Sequence, residues 1–337
     1  MGTSWTSLVT VAAAAFAVAL ALTPVLRALA LRFGLLDRPN QRSSHATVVP
    51  RAGGVAIVVA VLVALTPYPG FWQTSGVSVL LGSLALGAVG LADDRVGLSP
   101  ALRMTAQMAV ALFIVARVGA PERLPFPPPF DPPLGLLGAP VAMLWIVAVV
   151  NFFNFLDGID GLATLQAAIT AVGVALASWE AGAVLLAVAV AGAVLGFLPF
   201  NWAPASIFLG DVGSYFLGGV LATLPLTAAP EARSSAILLV ALSLWLCLAD
   251  ASFTLARRAR RGARVWEAHR EHAYQRLSPR LGHSRVTLLV CGASILLTAM
   301  GVAIWRTGRT GAGWTALALA LLLFAGEELL ARRVRTA

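Results

Sequence analysis

Lysine is absent from this chain of 337 residues, and charge of either sign is scarce: 12% of positions are charged, against 59% hydrophobic. All 24 basic residues are therefore arginines, set against 15 acids for a formal net charge of +9. Mean hydropathy is +0.85. This balance excludes a soluble globular domain, whose charged fraction is ordinarily about a quarter. It also excludes a nucleic-acid-binding protein, because no solvated basic domain is present to carry the arginines. Cysteine is nearly missing too. Cys247 and Cys291 both fall within apolar runs and read as packing residues, without a disulfide framework.

What is present is a succession of apolar runs. Spans of about 17–25 such residues, enough to cross a hydrocarbon core of about 30 Å, recur along the whole length. They cover approximately 5–30, 53–69, 76–92, 101–119, 138–153, 160–178, 181–200, 212–228, 235–256, 286–305 and 312–331. The sequence predicts an all-α polytopic membrane protein with about eleven transmembrane helices, or ten if 138–153 or 181–200 does not cross. Little chain remains for anything else, so residues 1–337 read as one integral membrane domain. The segment before Arg27 lacks a basic n-region and is long enough to span, which predicts a retained helix. With the N-terminus outside, the connections 31–52, 93–100, 154–159, 201–211, 257–285 and 332–337 are cytoplasmic. That side then holds 19 of the 24 arginines, a positive-inside bias that sets the orientation. The outer connection at 120–135, APERLPFPPPFDPPLG, reads as a stiff, extended spacer without helix.

The few aspartates stand where apolar helices should end. Asp93 and Asp94 follow LALGAVGLA; Asp157 and Asp160 lie in NFFNFLDGIDGLA; Asp211 opens GDVGSYFLG. An ionised Asp costs about 2.5–3.5 kcal/mol at a bilayer centre, so acids at a membrane edge are functional candidates. The orientation puts all five on the cytoplasmic side, where together they suggest a site for a divalent metal. Adjacent carboxylates such as Asp93 and Asp94 repel one another unless a cation or donor lies between them. Arg103 and Gln107 follow at a spacing that puts both on one helix face. Asn151, Asn154, Asp157 and Asp160 step by three, one face if helical, although Gly158 and Gly161 can break the helix. Asp211 is placed to begin a helix whose positive end favours anions.

In AHREHAYQRL, His269 and His272 stand three apart with Arg270 and Arg276 alongside. The hard oxygen donors elsewhere suit Mg²⁺ better than zinc, so this run reads as a phosphate cradle. Asp250, inside the ninth run, either faces a cavity or pairs with a cation. His283 reads as a loop residue. A transporter for an anion or metal is the rival from another class, but no inverted repeat of the two halves is visible.

These motifs resemble the polyprenyl-phosphate N-acetylhexosamine-1-phosphate transferases, of glycosyltransferase family 4 type. The likeness covers about 34–285, with five motifs in family order. The first loop (RPNQRSSH to PRAGG) and HREHAYQRL are most similar to the O-antigen-initiating branch. The His-His-His run of the muramoyl-pentapeptide enzymes is absent, with His-Arg-Glu-His here. The resemblance implies attack of undecaprenyl phosphate on a UDP-sugar, with Mg²⁺, or Mn²⁺ as a substitute. It implies Asp211 as principal metal ligand, Asp93 as the acid that positions or deprotonates the lipid phosphate, and Asp94 in support of either. Asn154, Asp157, Asp160, Asn201 and Phe208 match the nucleoside-binding set, with Phe208 stacking on uracil. His269, Arg270 and His272 match a loop that closes on diphosphate or sugar, and His45 and Arg51 help close the pocket. The implied setting is the bacterial inner membrane, with the family including homodimers. The sugar is UDP-GlcNAc or a UDP-N-acetyl-6-deoxyhexosamine such as UDP-FucNAc or UDP-QuiNAc.

Overall fold

A computed structural model of the protein describes residues 4–37, 48–177, 179–264 and 269–336. Thirteen α-helices and one two-stranded ribbon are found among them. The first helix, α1 (Trp5–Phe33), begins where the Ser4 hydroxyl accepts the Ser7 N–H and stops at Gly34 in the left-handed conformation. A ribbon of β1 (Leu36–Asp37) and β2 (Val49–Pro50) pairs antiparallel, Leu36 opposite Pro50 and Asp37 opposite Val49. Then come α2 (Gly54–Leu65), α3 (Gly76–Val96), α4 (Pro100–Val118), α5 (Gly138–Leu156), α6 (Leu162–Ala177) and α7 (Ala181–Asn201). The remainder are α8 (Gly210–Thr223), α9 (Arg233–Ser243), α10 (Trp245–Arg260), α11 (Ala273–Leu281), α12 (His283–Thr307) and α13 (Ala312–Thr336).

The apolar runs are helical, but fewer single helices reach spanning length than the number of runs predicts. Among the described residues seven helices are long and apolar enough to span a membrane: α1, α3, α4, α5 with its lead-in turn, α7, α12 and α13. Residues 230–243 and 245–260 meet that measure only as a pair, bent by 77°. The run at 53–69 yields only the 12 residues of α2, and 160–178 only the 16 of α6. At 1.5 Å per residue these reach about 18 and 24 Å, short of a core of about 30 Å. The run at 212–228 is α8 followed by a 3₁₀ turn at Leu224–Thr227. The proline-dense connection contains no α-helix, as expected, but it doubles back where an extended spacer was expected. Leu124 N–H donates to the Pro132 carbonyl (3.0 Å) and Leu134 N–H to that of Glu122 (2.8 Å).

Burial identifies the hub. Every residue of α8 from Val212 to Thr223 is buried, between α3 on one side and α5 on another. This explains an apolar helix with no polar face. Apolar side chains gain little from meeting one another in lipid, so helices associate by close packing over small residues. At the α1–α7 contact, a Cβ on Gly192 would lie 2.2 Å from the Ala12 carbonyl oxygen, and one on Gly196 2.3 Å from that of Phe16. The same device joins α3 to α8, where it also sets the site.

The bend between α9 and α10 is stabilised by polar groups buried in the bundle. The Gln166 amide of α6 donates to the Ser243 carbonyl (2.9 Å), and the Ser243 hydroxyl bonds to those of Thr170 (2.7 Å) and Thr298 (2.8 Å). Backbone freed at a helix break inside a membrane is tolerated when neighbours satisfy it in this way. Gln166→Leu leaves the Ser243 carbonyl without that donor. It is expected to lower stability by about 1–2 kcal/mol, read as a depressed thermal unfolding midpoint in detergent.

Candidate active site

Helix termini bring the acids together. The last turn of α3 carries Asp93 and Asp94, and the helix ends at Gly97, whose N–H bonds the Asp93 carbonyl (2.9 Å). The Asp93 carboxylate accepts from the Leu98 N–H (2.7 Å) and from Arg103 Nη1 of α4 (2.7 Å). Asp94 Oδ2 accepts the Val212 N–H in the first turn of α8 (3.1 Å), while Oδ1 lies 3.5 Å from Arg51 Nη1. Arg51 also donates to Asp37 (2.9 Å), so the ribbon clamps one arginine between two carboxylates. Asp211 Oδ1 accepts from Asn154 Nδ2 of α5 (2.7 Å), which also reaches the Ser214 hydroxyl (2.9 Å). Asp157 caps the C-terminus of α5, within electrostatic reach of Asp211 and Asp94. Two glycines permit this approach. A Cβ on Gly90 would lie 2.2 Å from the Asp211 carbonyl oxygen; one on Gly210, whose φ is +74°, would lie 2.9 Å from Asp94 Oδ2.

Other expected site residues sit differently. α5 stops at Leu156, so the three-residue step does not run along one helix; Asp157 and Asp160 occupy a turn closed by Gly161 at φ +76°. Asp160 is held by other partners: its Oδ2 accepts the Ala205 N–H (3.1 Å), and its own N–H donates to His283 Nδ1 (3.3 Å). His283 is therefore the first residue of α12, holding that turn, where a loop residue was expected. Asn201 is buried, accepting from the Thr164 hydroxyl (2.7 Å) and donating to the Ile207 carbonyl (3.2 Å); it shapes the 201–209 loop. Phe208 is half-buried, its backbone fixed between the Pro50 carbonyl (2.8 Å) and the Gly53 N–H (2.9 Å). His45 lies outside the described residues.

The rings of His269 and His272 lie close but tilted (centroids 4.9 Å, 35° between planes), with Phe155 5.7 Å from His272. Arg270 is exposed beside them. Asp250 is buried and secures local structure. Oδ1 caps α11 through the Ala273 N–H (2.9 Å), and Oδ2 lies 3.3 Å from His272 Nδ1. Tyr274 carries no signal in the sequence, yet its hydroxyl bonds the Phe155 carbonyl and lies 2.8 Å from where a Cβ on Gly158 would stand. It thus fastens the histidine segment to the turn that carries Asp157.

Residues 77–229 match the family model described as glycosyl transferase family 4. The chain is 30% identical over 265 residues to a probable undecaprenyl-phosphate N-acetylglucosaminyl 1-phosphate transferase of Bacillus subtilis, covering 77% of this chain and 74% of that one. It is 32% identical over 306 residues to the decaprenyl-phosphate N-acetylglucosaminephosphotransferase of Mycobacterium tuberculosis, covering 80% and 75%. The chain belongs to glycosyl transferase family 4. It is an enzyme of the UDP-N-acetylhexosamine:polyprenyl-phosphate sugar-1-phosphate transferase class, not a transporter. Family likeness extends to a phospho-N-acetylmuramoyl-pentapeptide-transferase of Heliobacterium modesticaldum, 36% identical over 230 residues, covering 62% of this chain and 70% of that one.

In this family 4 chain the electrostatics of the cluster are unbalanced. Four carboxylates (Asp93, Asp94, Asp157, Asp211) meet two guanidiniums, Arg51 and Arg103, and Arg51 is shared with Asp37. Acids outnumber arginines. Burial pushes the Asp157 carboxyl well above the ordinary carboxylate range, and the charges of Asp211 and Asp94 push it further. Among the described residues no three His, Cys, Asp or Glu side chains form a closed metal cage. Mg²⁺ in phosphate chemistry is held by one or two carboxylates, water, and the substrate's own phosphates. The donor set fits such an ion, being all oxygen with acids in excess of arginines. His269 is different. Burial, then His272 and Arg258, depress it to about 4, so it is neutral at physiological pH and offers a hydrogen bond, not a charge.

Gly90→Ala is expected to displace Asp211 and lower turnover by about 10²-fold while the protein still folds, measured as UMP release beside a melting curve. The His269 shift has a stability consequence. Its folded value lies below the ordinary 6.5, so the unfolded chain binds more protons between 6.5 and about 4. Stability should therefore fall as pH drops through that window, and His269→Asn should flatten the fall in the melting temperature.

Proposed function

We propose that this protein transfers an N-acetylhexosamine 1-phosphate from a UDP-sugar to undecaprenyl phosphate, giving the lipid diphosphate-sugar and UMP. The observation that carries this reading is the meeting of Asp93, Asp94, Asp157 and Asp211, from three helices, with Arg51 and Arg103. A lipid phosphate oxygen attacks the β-phosphorus of the UDP-sugar. The bond from that phosphorus to the bridging oxygen breaks, and UMP leaves with the oxygen and its electrons. Two anions must approach one another, so the site has to screen charge more than it has to move protons. Phosphate monoesters already ionise near pH 6, which leaves Asp93 to position the lipid phosphate.

Asp211, with Asp94, would hold Mg²⁺ or Mn²⁺. Bound there, the ion supplies charge neutralisation on the diphosphate. Asn154 orients Asp211 through its amide. Arg51 and Arg103 keep Asp94 and Asp93 apart from one another and aimed at the site. Asp157 and Phe208 would meet the nucleoside, with Asp160 and Asn201 fixing the loops that present them. His269, Arg270 and His272 close on the diphosphate or sugar from the α10–α11 connection. The arginine distribution supports a cytoplasmic site in the bacterial inner membrane, within one integral membrane domain.

The names of the Bacillus and Mycobacterium relatives support UDP-GlcNAc as donor. A second reading rests on AHREHAYQRL, which favours a UDP-N-acetyl-6-deoxyhexosamine such as UDP-FucNAc or UDP-QuiNAc and a role in starting O-antigen or another surface polysaccharide. One assay separates them: purified protein, undecaprenyl phosphate, Mg²⁺ and a panel of UDP-sugars, with the lipid product identified by mass. UMP release should vanish with EDTA and return with Mg²⁺ or Mn²⁺. Asp211→Asn should lower turnover by about two to three orders of magnitude without unfolding the protein. Full activity in that variant would remove Asp211 from the metal site.

A further inference from the structure

The final helix carries two adjacent glutamates in an apolar stretch, LLLFAGEELL at 321–330. Neither belongs to the acid cluster, and both lie beyond the residues that match the family model. Glu328 is 5% exposed. It bonds Arg276 of α11, lies 4.0 Å from Arg257 of α10, and lies 3.7 Å from Arg332 one turn along α13. Arg257 and Arg276 also line a cavity of about 280 Å³ together with Arg261, Arg270 and Glu271. Glu271 bonds Arg258 and lies 3.4 Å from Arg261, and its carbonyl accepts from Arg257 (2.7 Å).

Positive charge outnumbers negative in this network. Four guanidiniums line the cavity and a fifth, Arg258, shares Glu271; Glu271 and Glu328 pair with them, and Glu327 lies within electrostatic reach of Arg276. The Nε–H groups of Arg257, Arg258 and Arg276 are buried without a partner, as are the acceptors Glu327 Oε2 and Glu328 Oε2. A wall of this charge suits a phosphate group. If Glu328 served only to pack α13, an apolar residue would serve better, because a buried carboxylate loses its hydration and ion pairs seldom repay that in full. What it does here is hold two like-charged arginines from different helices side by side.

We propose that Glu328 is a positioning residue for the transferase reaction: from the last helix it fixes Arg257 and Arg276 so that the arginine cavity receives a phosphate of one of the two substrates. This rests on the transferase reading above. The anion comes either from the UDP-sugar diphosphate or from the polyprenyl phosphate, and kinetics separate the two.

The test varies each substrate in turn with full-length protein in detergent. Glu328→Gln is expected to raise the KM of one substrate at least about tenfold, with kcat within about threefold, and the substrate whose KM moves is the one the cavity holds. Glu328→Asp should recover part of the loss. Adding Glu328→Gln to Arg276→Ala should cost nothing further, because the two share one network. If both KM values stay at wild type, or only the melting temperature falls, Glu328 is structural and the proposal is wrong. Should Glu328→Gln fail to fold, Glu328→Asp and Arg257→Lys take its place: a raised KM supports the proposal and an unchanged one overturns it. A binding measurement stands apart from turnover: inorganic pyrophosphate without divalent metal should raise the melting temperature of wild type and not of Glu328→Gln. An equal rise in both overturns the proposal even if the wild type transfers no sugar phosphate.

Discussion

The approach of α3 to α8 is the constraint on which the site depends. Where the two helices meet there is room for backbone against backbone and for nothing larger, as the Gly90–Asp211 contact demonstrates. That closeness lets an Asp94 carboxylate oxygen take the Val212 N–H at the start of the buried hub helix. One acid thereby caps the helix that carries another. The positive end of α8 then offsets some of the repulsion that four neighbouring carboxylates create. Packing over small residues and charge placement are the same arrangement seen from two sides.

Around that contact the positively charged groups are tied to different parts of the chain. Arg103 comes from the helix following the Asp93–Asp94 pair, and Arg51 from the end of the ribbon. Tyr274 and Asp250 secure the histidine segment from below, to α5 and α10 respectively. The result is a floor of fixed carboxylates under a segment attached at a few points. Such a division suits a reaction in which two anionic molecules enter separately and two anionic products leave.

Much of this was legible in the sequence because polar groups are rare in it. Each aspartate in an apolar background is a signal, and the alternation of the expected spans put Asp93, Asp157 and Asp211 on one side. Contacts between distant apolar runs left no such mark. Nothing in GLADD says that Gly90 faces Asp211, and nothing in a continuous run at 235–256 says that it bends by 77°. The separate fates of Asp157 and Asp160 turn on Gly161 adopting a left-handed conformation, which a three-residue spacing cannot express. Asn201 enters the nucleoside-binding set through the family resemblance, and its bonds to Thr164 and Ile207, which brace the 201–209 loop, have no mark in the sequence. Glu328 escapes a reading by local spacing because its partners, Arg257 and Arg276, are about fifty to seventy residues upstream.

The broken span bears on how the protein is made. α6 is synthesised well before α9, so the Gln166 amide has only Thr170 of its own helix (3.3 Å) as a partner until the Ser243 carbonyl arrives. Until then nothing rewards a bend at 244, and the later segment can lie straight. Assembly of this half of the bundle is thus an ordered handover: the earlier helix stores the polar group that the later one needs in order to fold over.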